Sequence, residues 1–397
     1  MSPTATTPPR ALEPRLMRLF AVTMFAAAGS IHFQTAMLGA IAREFGASAG
    51  EVGWVPTMTF AGFVTGIIFI VPLGDRADKR RLLLVQHAAL IASLLAMSMA
   101  PSLAALACLS FVMAAVSCFS QNILPLVSEL AHTNERGRAV ATILTALFLG
   151  ILFARVGGGF VASTLGWRWM YVISAAMLAA LGPALALRVP PSPPKTALPY
   201  RVLIGSLVHL VRTNAELRRA SATQYLLGIC YGGFWATLAP MLISLHGLGP
   251  AQIGLMAIPG SAGIFIARPA GRWMDRRGVV PVVTTGCGLV LAAFVAFGFA
   301  AAWVGAVVAG AILLDSGLRS AMVANQTLIN SQVPDARSRF NTIFAAHVWG
   351  GNATGAFLGS MALAQAGWLA VCAIGVASAA CAVALQWRAR RVAGEAP

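Results

Sequence analysis

Stretches of about 20 predominantly apolar residues recur from Leu16 almost to the end of the sequence, and an α-helix of that length crosses the roughly 30 Å hydrocarbon core of a bilayer. Apolar residues make up 58% of the 397 residues, and charged residues make up only 10%. Soluble domains carry roughly 25% charged residues. The sequence therefore predicts an all-α polytopic membrane protein.

Twelve transmembrane helices are predicted, six on each side of a proline-rich segment. The first six are Leu16–Ala42, Val52–Leu73, Leu82–Ala100, Leu103–Leu130, Ala139–Thr164 and Trp167–Leu187. The other six are Ala220–Leu245, Ile253–Trp273, Val279–Ala301, Val304–Ile329, Phe340–Leu363 and Trp368–Trp387.

Basic residues are concentrated at one end of these helices. They are Arg10, Arg15 and Arg18, then Arg76–Arg81, Arg136 and Arg138, Arg188–Arg219, Arg272–Arg277, and Arg337 and Arg339. Because basic loops stay in the cytoplasm, both termini are expected there. The formal net charge of +16 is then a topology signal with contact to anionic lipid. Nucleic acid is not an expected partner, since the bases are dispersed over many loops.

Charged and glycine landmarks repeat along the chain at an offset of 200 to 201 residues. The pairs are Asp75-Arg76 with Asp275-Arg276, Glu51 with Gln252, Arg136 with Arg337, and Gly166-Trp167 with Gly367-Trp368. This register predicts two parallel six-helix repeats. The predicted domains are a cytoplasmic tail (1–15), a first bundle (16–188), a cytoplasmic linker (189–219), a second bundle (220–387) and a cytoplasmic tail (388–397).

The linker begins with the proline-rich stretch from Arg188 to Lys195, which cannot continue a helix. After it, basic and small residues fall on one side of a helical wheel, and leucines fall on the other. The first set is Arg201, Gly205, His209 and Arg212, and the second is Leu203, Leu207 and Leu210. We expect an amphipathic helix on the cytoplasmic membrane surface. The alternative is an ordinary solvated loop.

The loop after the second predicted helix and its copy after the eighth share an acidic and basic motif. The later copy carries Gly271, Asp275, Arg276 and Gly278. The first keeps Asp75, Arg76 and the bases Lys79, Arg80 and Arg81, with Val71 and Asp78 in place of the glycines. This loop resembles the Gly-x-x-x-Asp-Arg-x-Gly signature of the major facilitator superfamily of secondary transporters. The resemblance covers essentially the whole chain and implies that family's fold of two six-helix bundles.

An aspartate beside a helix N-terminus faces the positive end of the helix dipole. Asp75 is therefore expected to face the Ser338 end of the eleventh helix, and Asp275 the Gly137 end of the fifth. The predicted cytoplasmic gate consists of Asp75, Arg76, Arg136, Arg138, Asp275, Arg276, Arg337 and Arg339. Alternatively, these bases only enforce the topology.

Three charged residues stand out inside the predicted helices, because a charge at the middle of a bilayer costs roughly 2.5–3.5 kcal/mol on insertion scales. They are Arg155, Asp315 and Arg319. Asp315 can pair with Arg319 four residues later, or with Arg155 at a similar depth in the other bundle. We expect Asp315 to be the protonatable residue of a coupled transporter, with a static ion pair as the alternative. Gly150, Gly158 and Gly159 partly match the family's antiporter signature, but Ala154 and Arg155 occupy its Gly-Pro positions.

Other polar residues lie on helices that line the cavity in the resembled family. The substrate-cavity candidates are His32, Gln34, Gln121, Asn122, Gln224, Tyr225, Asn325, Gln326, His347, Trp349 and Asn352. Each can equally serve as a bridge between helices. Gln121 matches the family's Arg-x-x-Gln-Gly pattern, but Cys118 stands where its arginine is expected.

The sequence predicts no cofactor, no metal site and no enzymatic activity. Neither Lys79 nor Lys195 follows a glycine, so a Walker phosphate loop is absent, and no clustered His or Cys pattern predicts a metal ligand set. The six cysteines are expected to be small core residues.

The resemblance implies a secondary transporter, monomeric, in a bacterial inner membrane. Its predicted function is proton-coupled efflux of a small amphipathic molecule such as a drug, sugar or metabolite. Because two arginines lie in the core, the alternative is import or export of an organic anion. A non-transporting membrane receptor and an intramembrane enzyme are the alternatives of other classes.

Overall fold

The structure, a computed structural model, describes residues 13–132, 135–192, 194, 199–300, 302–332 and 337–392. All of the regular secondary structure in these ranges is helical. The first half contains α1 Pro14–Gly29, α2 Gln34–Phe45, α3 Ala49–Val52, α4 Trp54–Thr65, α5 Leu73–Arg76, α6 Lys79–Ser98, α7 Leu103–Ser117, α8 Phe119–Leu130, α9 Arg136–Thr164 and α10 Trp167–Arg188. The second contains α11 Tyr200–Thr213, α12 Ala215–His246, α13 Pro250–Leu255, α14 Gly263–Arg277, α15 Val279–Phe297, α16 Val304–Gln332, α17 Arg337–Ala366 and α18 Trp368–Val392.

Ten helical segments in the described part of the chain are long and apolar enough to cross a membrane. They coincide with ten of the twelve predicted helices. Of the other two, the segment predicted at 253–273 is divided into α13, a 3₁₀ turn at Pro259–Ser261 and α14, while the segment predicted at 340–363 lies within the 30-residue helix α17. The all-α polytopic fold is confirmed, and a count of twelve crossings stays a prediction.

The helix connections gather at two opposite ends of the bundle. The end with loops 46–48, 99–102, 165–166, 247–249 and 298–300 is called the distal end, and the end with the arginine-rich loops the basic end. At the distal end, Arg168 Nη2 donates to the Ala100 carbonyl at 3.0 Å and Trp368 Nε1 to the Phe297 carbonyl at 2.7 Å. At the basic end, Lys79 Nζ lies 2.6 Å from Glu129 Oε1. Each contact joins neighbouring helices of one half.

The sequence repeat reappears in the helix packing. In the first half, Gly150 of α9 lies so close to the Phe25 carbonyl of α1 that a side chain has no room there. In the second half, Gly351 of α17 packs in the same way on the Tyr225 carbonyl of α12. These pairs are related by the offset of 200 to 201 residues found in the sequence. Small residues at such contacts let helix backbones approach closely.

The two halves pack against each other mainly at the distal end. Gly159 of α9 contacts the Pro250 carbonyl at the start of α13, and Gly53, between α3 and α4, contacts the Ser360 side chain of α17. We call these two contacts the seams between the halves. They are equivalent, because the offset of 201 residues relates Gly159 to Ser360 and Gly53 to Gly254. Among the described residues, none of the extensive contacts between the halves involves α8, α14 or α16. The contacts between the halves are therefore made mainly by α2, α3, α4, α9, α12, α13 and α17, and the two glycine contacts close the distal end.

The linker contains the predicted amphipathic helix as α11. Its buried Leu207 packs with Phe340 and Phe344 of α17, so this apolar side faces the second half of the protein. The hydroxyl of Tyr200 donates to the Phe69 carbonyl at 2.6 Å, in the π-helical turn Gly66–Ile70 of the first half. The linker therefore contacts both halves.

The cysteine prediction is wrong for two of the six residues. Cys118, Cys230, Cys287 and Cys372 are buried, as expected of small core residues, but Cys108 and Cys381 are exposed on the outer helix surfaces. All six are free thiols. Small apolar-like side chains are also tolerated on a surface that faces lipid, which the sequence pattern alone does not separate from the core.

Candidate functional site

Arg155 lies in the distal half of α9, and only 2% of the residue is exposed. Its Nη2 donates to the Tyr231 hydroxyl at 3.0 Å, and its Cζ lies 3.5 Å from the centre of the Trp235 ring. Both aromatic residues belong to α12 of the second half. Its Nε has no partner, and none of the ion pairs in the described part of the structure includes Arg155. This guanidinium therefore joins the halves through aromatic groups and keeps unused donors.

Asp315 of α16 is 1% exposed and pairs with Arg319 one turn later, with 3.3 Å between Arg319 Nε and Asp315 Oδ1. Of the two pairings left open by the sequence, the structure shows this one and not the pair with Arg155. Asp315 Oδ2 also accepts a hydrogen bond of 2.8 Å from the Gly263 amide. Gly263 is the first residue of α14, so the carboxylate faces the positive end of that helix dipole.

The break between α13 and α14 creates this contact. Pro259 and Gly260 form a 3₁₀ turn, and α14 starts at Gly263 with an amide that has no partner within its own helix. A Cβ at Gly263 would lie 2.6 Å from Asp315 Oδ2. Only glycine therefore fits between α14 and the ion pair.

Arg319 extends from the ion pair toward the first half. Its Cζ lies 4.8 Å from the centre of the Phe148 ring, and Phe148 precedes Arg155 by two turns of α9. The three charged residues thus form one central region between the halves.

An aromatic group borders this region. The ring of Trp349 lies 4.6 Å from Phe63, 5.8 Å from Phe60 and 6.0 Å from His32, measured between ring centres. A narrow crevice beside Arg155 is lined by Thr35, Ala36, Arg155, Trp235, Leu238 and Ile253. A small molecule bound in this region would contact both cationic groups and apolar surface.

Several predicted cavity residues instead form hydrogen bonds with other groups of the protein. Gln34 donates to the Thr59 hydroxyl, and His32 Nδ1 lies 3.1 Å from the Ala28 carbonyl. The Tyr225 hydroxyl lies 2.7 Å from that of Thr354, and His347 Nδ1 lies 2.8 Å from the Ile343 carbonyl. Bonds of this kind bridge or bend helices without a ligand.

The remaining substrate-cavity candidates are hydrogen-bonded within the protein, exposed, or buried with an unpaired atom. Gln326 and Asn341 form a hydrogen bond of 3.3 Å, and Asn122 Nδ2 lies 3.5 Å from Gln86 Oε1. Gln121 is exposed. The buried residues Gln224, Asn325 and Asn352 each contain a side-chain atom without a partner. The structure therefore does not gather the polar candidates into one site.

Of the five gate residues whose side chains the structure describes, four lie on the surface of the basic end. Arg76, Arg136, Arg138 and Arg276 are exposed, and Arg339 is half-buried. The side chains of Asp75, Asp275, Arg337 and Ser338 lie outside the described part of the structure. The gate stays a prediction.

Sequence reasoning missed Tyr231 and Trp235, which hold Arg155. Their only signal was the presence of amphipathic rings far from either end of a predicted helix, and that signal is weak because aromatic residues are common in apolar cores. The repeat gives a clearer signal for a different residue, Arg319. At an offset of 201, Arg319 is equivalent to Cys118, which stands where the resembled family has its arginine.

The family model of the Major Facilitator Superfamily matches residues 19–278 and 224–396, which together span nearly all of the chain. The chain belongs to the Major Facilitator Superfamily. It is therefore a multi-pass membrane transporter, as the loop motif implied. The chain is 30% identical to "Uncharacterized transporter YgaY" of Escherichia coli O157:H7 over 384 residues, which cover 96% of this chain and 98% of that protein.

The chain is also similar to a second transporter sequence and to a solved transporter structure. "Multidrug resistance protein B homolog" of Mycobacterium tuberculosis is 25% identical over 357 residues, covering 74% of this chain and 65% of that protein. A solved bacterial homolog of the human lysosomal transporter Spinster, inward-facing and occupied, matches with a TM-score of 0.76 and 15% identity, covering 95% of this chain and 96% of that one. The structural likeness shows the same fold.

Proposed function

We propose that this member of the Major Facilitator Superfamily carries a small amphipathic organic anion across a bacterial membrane by alternating access. The observation that supports the anion is Arg155, a buried guanidinium between the halves with no acidic partner among the described side chains. Arginine presents five N–H donors in a planar fork that matches carboxylate and phosphate groups. One hydrogen bond, to Tyr231, uses one of these donors.

The free-energy cost of burying Arg155 without a bound anion is small enough for its aromatic contacts to offset. A charge in the middle of a bilayer costs roughly 2.5–3.5 kcal/mol on insertion scales. A desolvated cation–π contact returns about 2 kcal/mol, and a hydrogen bond to a charged group about 1.5–3 kcal/mol. Trp235 and Tyr231 therefore offset the burial of Arg155, and the bound anion adds its own charge-assisted hydrogen bonds.

The side chains around Arg155 are mostly apolar, which favours an anion that also has an apolar part. Trp235, Leu238 and Ile253 line the crevice beside Arg155, and Trp349 lies in the aromatic group nearby. Since the crevice contains residues of both halves, a rocking motion of the halves changes its exposure from one end to the other.

The test is binding and transport by the purified protein, first in nanodiscs and then in proteoliposomes. Benzoate and benzenesulfonate should bind, whereas the neutral isosteres benzamide and benzenesulfonamide should not. Arg155→Gln should weaken binding by about tenfold or more, because the charge-assisted pair is lost. Arg155→Lys keeps the charge without the fork and should give an intermediate affinity. Equal binding of the neutral and anionic probes would reject the proposal.

A second candidate is proton-coupled efflux of an amphipathic molecule that need not be anionic. The relative named a multidrug resistance protein B homolog favours it, together with the buried Asp315 as a protonatable group. In proteoliposomes, this function predicts that an imposed proton gradient drives an amphipathic cation or neutral compound in the opposite direction. Asp315→Asn should abolish that exchange.

A further inference from the structure

One side of the linker helix α11 is a basic surface that the rest of the described structure leaves uncovered. We call it the outer face of α11, and its exposed residues are Val208, Arg201, Arg212, Gly205, His209 and Val202, in order around the helix. The helix contains no acidic residue. Among the described residues, neither Arg201 nor Arg212 forms an ion pair. The outer face therefore presents positive charges that the protein itself does not neutralise.

The apolar side of α11 is occupied within the protein. Leu207 packs with Phe340 and Phe344 of α17, and Ile204 and Leu210 lie against the same cluster. An amphipathic helix on a membrane normally inserts its apolar side between the lipids. That side of α11 is covered, so a contact with lipid must be made through the outer face and with charged headgroups.

Two contacts hold α11 at the level where the apolar core of the membrane ends. The hydroxyl of Tyr200, its first residue, donates to the Phe69 carbonyl at 2.6 Å. Phe69 lies in the last turn of the apolar span Ala49–Ile70, and its side chain is 48% exposed. Leu207 packs on Phe340, where the predicted span 340–363 begins. Lipid headgroups lie just beyond the ends of such spans, so the outer face lies at their depth.

We infer that the outer face of α11 binds the headgroups of anionic phospholipids in the cytoplasmic leaflet and so holds the linker against the membrane. This leaflet has a negative surface potential, and each arginine close to it strengthens binding by roughly fivefold. The guanidinium group also matches the geometry of phosphate oxygens. Arg201 and Arg212 lie within about 20° of each other around the helix and about 16 Å apart along it, so each contacts a different lipid.

Two further observations favour lipid over an acidic soluble protein. Val202 and Val208 are each about half exposed and flank the arginines, which suits a boundary between headgroups and acyl chains. Arg218 Nη1 donates to the Val211 and Arg212 carbonyls at 3.1 Å and 2.6 Å, which places a third positive charge at the C-terminal end of the helix. The inference does not depend on which molecule is transported. Since α11 contacts both halves, lipid bound to it acts on the segment that joins them.

The test reports on the lipids beside α11 alone. A fluorophore is attached to Gly205→Cys in the full-length chain without its native cysteines, since nothing lies within 4 Å of a Cβ at Gly205. The protein is placed in nanodiscs of phosphatidylcholine in which a small fraction of the lipid carries a quenching nitroxide near the headgroup. At the same fraction, labelled phosphatidylglycerol should quench several-fold more strongly than labelled phosphatidylcholine. Raised salt should reduce this difference, because it screens the charges.

Charge variants then assign the preference to the outer face. Arg201→Gln combined with Arg212→Gln should lose most of the preference for phosphatidylglycerol, whereas Arg201→Lys combined with Arg212→Lys keeps both charges and should retain most of it. Arg43→Gln is the matched control, since Arg43 is an exposed arginine at the distal end, and it should leave the preference unchanged. Melting temperatures of the detergent-solubilised variants show that each is folded.

Three results would each overturn the inference. Equal quenching by the two lipids with both arginines present would mean that headgroups do not bind this face and would leave it to a soluble partner. A preference that survives in the folded double glutamine variant would place the anionic lipid on other basic loops. Loss of the preference on adding millimolar inorganic phosphate at constant ionic strength would make the face a site for soluble anions.

Discussion

At the scale of single residues, Asp78 shows why one copy of the loop motif departs from the family pattern. Asp78 Oδ1 accepts a hydrogen bond of 2.9 Å from the Arg80 amide, as the N-cap of α6. The same oxygen accepts one of 3.1 Å from the Ser192 amide in the linker. A glycine at this position, as in the later copy, makes neither bond. The departure therefore fixes the start of the linker to the loop before α6.

Replacing Asp78 with Gly should loosen the linker, because it removes the hydrogen bond to the Ser192 amide, worth about 1 kcal/mol. The loss of the N-cap itself adds only about a few tenths of a kcal/mol, because glycine is tolerated at that position. The expected result is faster tryptic cleavage in the linker and a lower melting temperature in detergent. Asp78→Asn is the control, since its side-chain carbonyl can accept the same two bonds. Equal cleavage rates in both variants and wild type would show that the contact contributes nothing to linker stability.

The charged core residues were predictable one by one, but their partners were only partly so. The spacing of four residues on one helix was enough to suggest the Asp315–Arg319 pair. The partners of Arg155 are aromatic and lie 76 and 80 residues away in the other half, so no local pattern points to them. Attraction between a cation and a ring face leaves no charge signal in the sequence.

At the scale of elements, ten of the twelve predicted helices match apolar spans in the described part of the chain, and several helices are interrupted near the middle of the bundle. The α1–α2 break lies at residues 30–33, and the α13–α14 break lies at residues 256–262. Pro259 and Gly260 mark the second break in the sequence. The first has no proline and is completed by tertiary contacts, such as the 3.1 Å approach of the Ser30 and Ser117 hydroxyls. Periodicity predicts a span better than it predicts the breaks that place His32 and Gly263.

Replacing Gly263 with Ala should disturb the ion pair, because a Cβ there would lie 2.5 Å from Arg319 Cγ and 2.6 Å from Asp315 Oδ2. Such overpacking typically costs about 1–3 kcal/mol, so the melting temperature in detergent should fall. Gly288→Ala in α15 is the matched control, since nothing lies within 4 Å of a Cβ at that position. A melting temperature unchanged by Gly263→Ala would show that α14 can move away from α16 without loss of stability.

At the scale of the whole molecule, the duplication explains how two halves can form two equivalent seams. Gly159 against Pro250 and Gly254, and Ser360 against Gly53, are the same contact made twice with the halves exchanged. The charged landmarks predicted this repeat and its parallel sense. They could not predict which end is closed, because the same sequence must form both seams and release them during transport. That choice depends on a small free-energy difference between conformations.

Replacing Gly159 with Leu should shift this equilibrium toward a distally open state. A side chain at 159 has no room beside the Pro250 carbonyl, and Gly254 Cα would lie 3.2 Å from its Cβ, so the seam between α9 and α13 must separate. The reporter is a cysteine at Leu238, which lines the crevice beside Arg155, in a background without the native cysteines. A membrane-impermeant maleimide added from the distal side should label it several-fold faster in Gly159→Leu.

The control is Gly157→Leu, two residues away, where no atom lies within 4 Å of a Cβ. Its cysteine at 238 should be labelled at the rate of the unmodified background. Equal labelling in the two variants would mean that this seam does not hold the distal end closed.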